Sequence, residues 1–341
     1  MTGTPASLGY IMPAEWEKHD ATWLSWPKDP NTFPSDILPK VEAAYKKMVE
    51  SLSQGEEVRI LVDDAKSEGR VREKLGKVGS VSFVQIRTVD VWVRDYGPTY
   101  IKGKDVALVK WAFNAWGNKY DDLLPDNESG EELAESTGLK VFRPGAVLEG
   151  GSIDVNGRGS VMTTEQCLLN PNRNPGLRRN AIESVLRENL GVKKVIWLRR
   201  GIEGDDTDGH IDDVARFVGP RSLVIAGEAD VSDSNHGALE DDLDILEAST
   251  DEDSRALEVH KLPMPHRITS AGGRLPASHL NFYIGNSCVL VPTFGGESDK
   301  EALRALGGLF PKKEAVGVDC RALAYGLGTI HCVTQQAPAA E

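Results

Sequence analysis

The sequence predicts an α/β protein assembled from repeated units, on two observations. Short β-branched runs alternate with helix-patterned segments along the whole chain, with no low-complexity tract or Pro/Ser-rich linker to divide it. The alternation also recurs: a strand pair, a helix and a further strand return about five times, roughly every 60–70 residues, without sequence identity between copies. Such periods occur in closed arrays of repeated units. An α/β sandwich would give a similar pattern, so at this level both architectures stand.

Taken in order, helical patterns cover about Ile37–Ser53, Asp64–Leu75, Glu128–Thr137, Leu177–Leu190, Ala238–Ser249 and Asp299–Gly307. Strand-like runs fall at Val58–Val62, Val81–Ile86, Val106–Trp111, Ser160–Met162, Val195–Leu198, Ser222–Ala226, Phe282–Ile284, Cys288–Pro292 and Ile330–Val333. Asn156-Gly157-Arg158-Gly159 lies between two apolar runs and reads as a hairpin turn.

Composition sets outer bounds. With 341 residues, 40% hydrophobic, 27% charged and 6% aromatic, the chain is neither disordered, collagenous nor a coiled coil. The length allows two average domains or one large closed architecture. No apolar run approaches the roughly 18 residues of a membrane-spanning helix. The first twenty residues lack the basic start and apolar core of a secretory leader. Thirty-nine Lys+Arg against 52 Asp+Glu leave a net charge of −13, which repels nucleic acid and anionic membranes and attracts cations. The four cysteines, Cys167, Cys288, Cys320 and Cys332, form no Cys-x-x-Cys pair, so free thiols in a reducing cytoplasm are expected.

Four stretches could carry chemistry. The densest is Gly204-Asp205-Asp206-Thr207-Asp208-Gly209-His210-Ile211-Asp212-Asp213. If His210 opens a strand, the two-residue period puts His210 and Asp212 on one face, as a general acid/base beside a cation-binding carboxylate. An acidic surface loop is the plainer alternative. The spacing fits no EF-hand, and no second histidine lies at zinc-ligand spacing. In Val91-Trp92-Val93-Arg94-Asp95-Tyr96-Gly97-Pro98, Asp95 closes an apolar run, at what would be a strand end, and Trp92 offers an aromatic wall to a planar cation. An Arg94–Asp95 pair at a turn would be merely structural. Leu148-Glu149-Gly150-Gly151-Ser152-Ile153-Asp154 is not a nucleophile elbow, since Asp154 stands where the last glycine should be. It places Glu149 in a cramped corner, to orient a histidine or to bind loop amides. Finally, Gly326-Leu327-Gly328-Thr329-Ile330-His331-Cys332 brings a glycine-rich backbone to Cys332, either a small core residue or a nucleophile. The other three cysteines read as core.

Together these segments resemble the agmatine deiminase family, grouped with the bacterial-type peptidylarginine deiminases. The matching pieces are MPAEWEKHDATWLSWP, VWVRDYGPTY, FNAWGNKYD, LEGGSIDVNGRG, TTEQCLLNPNRNP, GDDTDGHIDDVARFV, LNFYIGN and IHCVTQQAP, in family order from about Met12 to Pro338. The resemblance implies the five-bladed α/β propeller of guanidine-modifying enzymes, as a single catalytic domain over residues 1–341. It implies Cys332 as nucleophile, His210 as general acid/base, Glu149 as the carboxylate orienting it, and Asp95 and Asp212 as the pair gripping a guanidinium. Trp92 and Trp116 become aromatic contacts, and Asp206 meets the far end of the substrate. The implied reaction hydrolyses agmatine to N-carbamoylputrescine and ammonia, without metal or organic cofactor. Where the family commonly has a run of glycines, this chain has Gly326-Leu327-Gly328-Thr329, so Leu327 and Thr329 are placed to reshape the mouth of the site. Peptidyl or free arginine is the competing substrate, and a silent cation-binding propeller the competing class. A homodimer is expected on base rates.

Overall fold

The computed structural model describes residues 3–270 and 272–340. Within them the repeat is explicit. Four three-stranded sheets share one plan: an antiparallel pair, then a third strand parallel to the second after a helical crossover. They comprise Thr99–Lys102, Val106–Val109 and Lys140–Phe142; Asp154–Val155, Ser160–Thr164 and Lys194–Leu198; Ala215–Phe217, Ser222–Gly227 and Glu258–Pro263; and Tyr283–Ile284, Cys288–Thr293 and Glu314–Asp319. The crossover helices are Asp126–Ser136, Arg179–Leu190, Ser234–Glu247 and Glu297–Leu309.

Beside the small hairpin of Thr269–Ser270 and Gly273–Arg274, a four-stranded sheet follows the same plan with one further parallel strand and its parts split between the chain ends. His19–Ser25 pairs in parallel with Glu57–Val62, which pairs in parallel with Val81–Gln85, while the antiparallel partner of His19–Ser25 is Gln335–Pro338. The last strand of the chain thus closes the first sheet. Ile330–Val333, expected as a strand, is instead a turn. Its backbone groups are spent locally: the N–H of Thr334 reaches the carbonyl of His331, and that of His331 reaches Asn281. The strand starts only at Gln335.

Packing explains why the elements form. The parallel central strands are covered on both faces, so Val289, Leu290 and Val291 are all fully buried in a continuous apolar run. Helix Leu38–Leu52 turns Val41, Ala44, Tyr45, Met48, Val49 and Leu52 inward at three- and four-residue spacing. Each large side chain buried this way contributes about 1.5–3 kcal/mol. Asp64 caps the next helix by accepting from the N–H of Ser67 at 2.7 Å. The Asn156–Gly159 turn joins two antiparallel strands, as expected, with both glycines at positive φ.

The repeat fixes where chemistry can be built. The segment leading into the first strand of each sheet carries, in turn, Asp95, Glu149, the His210–Asp213 group, Asn281 and Cys332, each within five residues of that strand or its one-turn lead-in. All five segments converge.

One approach is unusually close. Gly130, inside helix Asp126–Ser136, lies against the turn Val93–Tyr96, and a Cβ there would stand 1.9 Å from the Tyr96 carbonyl oxygen. Helix propensity favours alanine by about 1 kcal/mol, but overlap with backbone outweighs it. Gly130→Ala is expected to lower unfolding free energy by about 1–3 kcal/mol in urea titration. A stabilised variant would show that the helix moves away freely.

Candidate active site

Asp95 sits in the one-turn helix Val93–Tyr96, at the approach to a strand rather than at a strand end as expected. His210 precedes a 3-10 turn, Ile211–Asp213, that contains Asp212, so the two do not alternate on a strand. Both nevertheless reach one spot. A Cβ on Gly151 would stand 2.6 Å from His210 Nδ1 and 3.0 Å from both Asp212 Oδ2 and Asp95 Oδ1. Only glycine lets the backbone pass between three site groups. Cys332 completes the cluster, its Sγ 3.9 Å from Asp212 Oδ2.

Asp95 and Cys332 of this cluster line a pocket of about 210 Å³ whose walls include Trp92, Trp116, Leu327 and Asp206. Glu149 and Asp212 are fully buried, and Cys332 is 8% exposed at the base. Trp116 arrives by an unusual backbone: Ala115, Trp116, Gly117 and Asn118 all have positive φ, a single left-handed turn. Each non-glycine residue there costs about 1–2 kcal/mol. The turn is held by the Asn114 side chain, which accepts from the Gly117 N–H at 2.8 Å and donates to the Asn172 carbonyl at 2.9 Å. The strain places the Trp116 indole N–H 3.0 Å from Asp95 Oδ2. Leu327 is also left-handed, φ 69°, at the mouth. Thr329 turns inward and donates to Asn281 Oδ1. Asp206 accepts from the Tyr120 hydroxyl at the rim.

Several buried partners escaped the sequence reading. Arg173 donates from Nε to Glu149 Oε1 at 2.7 Å, and ties down Asp208 and the Thr207 carbonyl with its other nitrogens. His331 bridges Asp212 Oδ2 at 2.7 Å and Glu15 Oε2 at 2.9 Å, while Glu15 Oε1 accepts from Arg216 at 2.9 Å. No local signal marks them: Arg173, for one, lies in the polar stretch Asn170-Pro171-Asn172-Arg173-Asn174. Cys167, read as core, is buried but borders the site: Cys167, Glu149 and His210 offer ligand atoms all within 4.8 Å of one another. Those donors suit a transition-metal ion, though the Arg173 cation already holds the carboxylate.

Electrostatics separate the roles. Burial, reinforced by Asp212, Asp213 and Asp95, holds the Cys332 thiol well above its ordinary pKa. Burial also raises Asp95, to about 6, against the opposing pull of His210. Burial would lower His210, but Asp95 and the neighbouring Cys167 and Glu149 prevail and push it well up. Burial would raise Glu149, yet Arg173 and His210 hold it below the usual carboxylate range. Asp212 is likewise held low, His331 overcoming burial. Glu149 Oε2, His210 Nε2 and Asp212 Oδ1 are buried with no hydrogen-bond partner among the described residues. His210 Nε2 is 3.9 Å from Glu149 Oε2, and its Nδ1 3.9 Å from Asp95 Oδ1.

A buried thiol, an imidazole and several carboxylates around an aromatic-walled pocket define a site for cysteine chemistry on a planar cation. Residues 11–338 match the model of the Porphyromonas-type peptidyl-arginine deiminases, and the chain belongs to that family. It is 38% identical to an agmatine deiminase of Stutzerimonas stutzeri, over 99% of this chain and 98% of that one. Its α/β fold superposes on an agmatine deiminase of Enterococcus faecalis with TM-score 0.93 and 34% identity, covering 99% and 98% of the two chains. A cysteine-to-serine variant of the Campylobacter jejuni agmatine deiminase, with substrate bound, matches at TM-score 0.88 and 29% identity over 97% of each chain.

Arg173→Gln would leave the fully buried Glu149 uncompensated. The expected loss of stability at pH 8 is about 3–5 kcal/mol by chemical denaturation. Because Glu149 titrates below its ordinary value in the native protein, its contribution is present at neutral pH and lost on acidification. The gap between variant and wild type should therefore narrow towards pH 4. An equal gap at both pH values would mean Arg173 acts through packing alone.

Proposed function

We propose that the protein is a hydrolase that deiminates agmatine to N-carbamoylputrescine and ammonia through a covalent intermediate on Cys332. The observation that carries this reading is the convergence of His210, Asp212 and Glu149 behind Cys332 and Asp95, which line a pocket with tryptophan walls and an acidic rim. The relatives that are agmatine deiminases over nearly their whole length support the substrate, and the variant that holds substrate with its cysteine replaced supports the cysteine chemistry.

Two carboxylates fix the plane of a guanidinium and leave its charge paired when water is excluded. Asp95 and Asp212 take this role. The unpartnered Asp212 Oδ1 has a free acceptor position. The incoming cation also removes the repulsion that keeps the Cys332 thiol protonated, so the thiol releases its proton to solvent as substrate binds. Sγ attacks the guanidinium carbon, and His210, oriented by Glu149, gives a proton to departing ammonia. Neutral His210 then takes a proton from the water that cleaves the thiouronium. Leu327 and the tryptophans cover the methylene chain, and Asp206 meets the terminal amine.

The five sheets that share the repeated plan, closed by Gln335–Pro338 on His19–Ser25, favour a ring of five blades around this site, within one catalytic domain.

Purified protein given agmatine, L-arginine and an arginine peptide in parallel should form a ureido product from agmatine alone, and Cys332→Ala should form none. Turnover of arginine or peptide instead would move the substrate assignment to the Leu327–Thr329 loop. Substantial activity in the Cys332 variant would exclude the covalent route.

Asp95 must be ionised to grip the cation, so kcat/KM for agmatine should fall as pH drops through about 6. Asp95→Asn should lower kcat/KM roughly 100-fold, because a charged partner is lost. A raised carboxylate favours the folded state at low pH and loses that advantage as pH rises through 6, so the variant should melt no lower than wild type at pH 8. A lower melting point with unchanged kinetics would make Asp95 a structural turn residue.

A further inference from the structure

One face of His210 is unused by the contacts around it. Its Nε2 and the Glu149 oxygen opposite, Oε2, are both buried and have no hydrogen-bond partner among the described residues. They stand 3.9 Å apart, too far for a hydrogen bond. Cys167, a free and fully buried thiol, comes within reach of both residues: the three offer ligand atoms that all lie within 4.8 Å of one another. Atoms bound at about 2.0–2.3 Å in a tetrahedral shell stand roughly 3–4 Å apart. A spacing that is wrong for hydrogen bonding therefore suits a shared ion.

Each donor is held from behind. Arg173 Nε donates to Glu149 Oε1 at 2.7 Å and leaves Oε2 to face His210. The His210 backbone N–H donates to Asp205 Oδ2 at 2.9 Å. The Thr164 hydroxyl accepts from the Cys167 N–H at 3.1 Å and donates to the Gly209 carbonyl at 2.6 Å. That one hydroxyl ties the turn carrying the cysteine to the residue before the histidine. Partners of this kind orient metal ligands and hold them in place. The positive charge of Arg173 is shared with Asp208, so it does not by itself repel a cation from Oε2.

We propose that Cys167, His210 and Glu149 form an inhibitory site for a thiophilic divalent cation, zinc or cadmium. One sulfur, one imidazole nitrogen and one carboxylate oxygen select such ions over magnesium and calcium. Binding sends the Cys167 proton to solvent, and the ring proton it displaces when His210 is charged. With the ion on one nitrogen, His210 can no longer form the imidazolium that protonates departing ammonia. None of the three ligands lines the substrate pocket, and Cys332 takes no part. Asp95 does line it and lies 3.9 Å from the other ring nitrogen of His210, so the way in runs past that ring and capture is slow. Inhibition rests on the deiminase reading; binding does not.

Cys332→Ala protein, incubated with cadmium chloride at pH 8, isolates the site from the nucleophile. An ultraviolet thiolate-to-cadmium charge-transfer band is expected, saturating at a single ion per chain and displaced by zinc. Cys167→Ser in that background should abolish the band, because a hydroxyl is a poor ligand for a soft ion. X-ray absorption at the cadmium edge should find a single sulfur neighbour, a reading that needs no substitution at Cys167. No band in Cys332→Ala protein, or a band that survives Cys167→Ser, overturns the proposal. In protein that keeps Cys332, zinc should inhibit agmatine turnover, and Cys167→Ser should raise the half-inhibiting concentration about 100-fold, as much as loss of an outer-shell partner can cost. An unchanged value would put the inhibiting ion on Cys332 and overturn the inhibitory role. Absence of turnover by wild type would sink the deiminase reading, and the cadmium band would still decide the site.

Discussion

Carboxylates packed around a thiol, away from water, form the constraint on which the rest of the structure depends. Asp95, Glu149, Asp212 and Asp213 are each 5% exposed or less, and a bare cluster of that kind would protonate or open to solvent. The protein compensates part of it. Arg173 holds Glu149, His331 and Glu15 tie Asp212 to Arg216 and Arg94, and His210 lies between Asp95 and Glu149. Asp95, raised to about 6, stays undercompensated. In the proposed reaction the missing positive charge is the substrate's own.

In that proposed reaction, binding and activation of the nucleophile are one event. The same carboxylates that would recognise a guanidinium keep the sulfur neutral while the pocket is vacant. A thiol that ionises only beside its substrate is protected from alkylation and oxidation in between. The strained segments serve that arrangement. The left-handed turn Ala115–Asn118 holds Trp116 on Asp95, and Leu327 adopts a glycine-like conformation at the mouth. Positive φ at consecutive non-glycine residues persists only where surrounding contacts over-determine it, and here Asn114 and Asn172 provide them.

The residues of the site were legible in the sequence because chemistry concentrates unusual residues in short polar stretches. Cys332, His210, Glu149, Asp95, Asp212, Trp92, Trp116 and Asp206 all border or underlie one pocket. The local geometry was less legible. His210 and Asp212 share a face through a 3-10 turn, not a strand, because the backbone is captured by side chains: Asp205 accepts from the His210 N–H at 2.9 Å. Ile330–Val333 has the composition of a strand but spends its hydrogen bonds on a turn and on Asn281. His19–Ser25 has one of its two partners at the other end of the chain, a pairing that no local pattern reveals. Asn281, Arg173 and Glu15 were hidden for a related reason. Their roles depend on segments far apart in sequence, and nothing near them is unusual.

The central claim is that Cys332 forms a bond to the guanidinium carbon. Its most direct test is acid quenching of the enzyme during agmatine turnover, followed by mass spectrometry of its peptides. The account predicts an adduct with the mass of agmatine less ammonia on the peptide containing Cys332, absent from Cys332→Ala. Turnover with no adduct at any quench time, or an adduct confined to another residue, would contradict it.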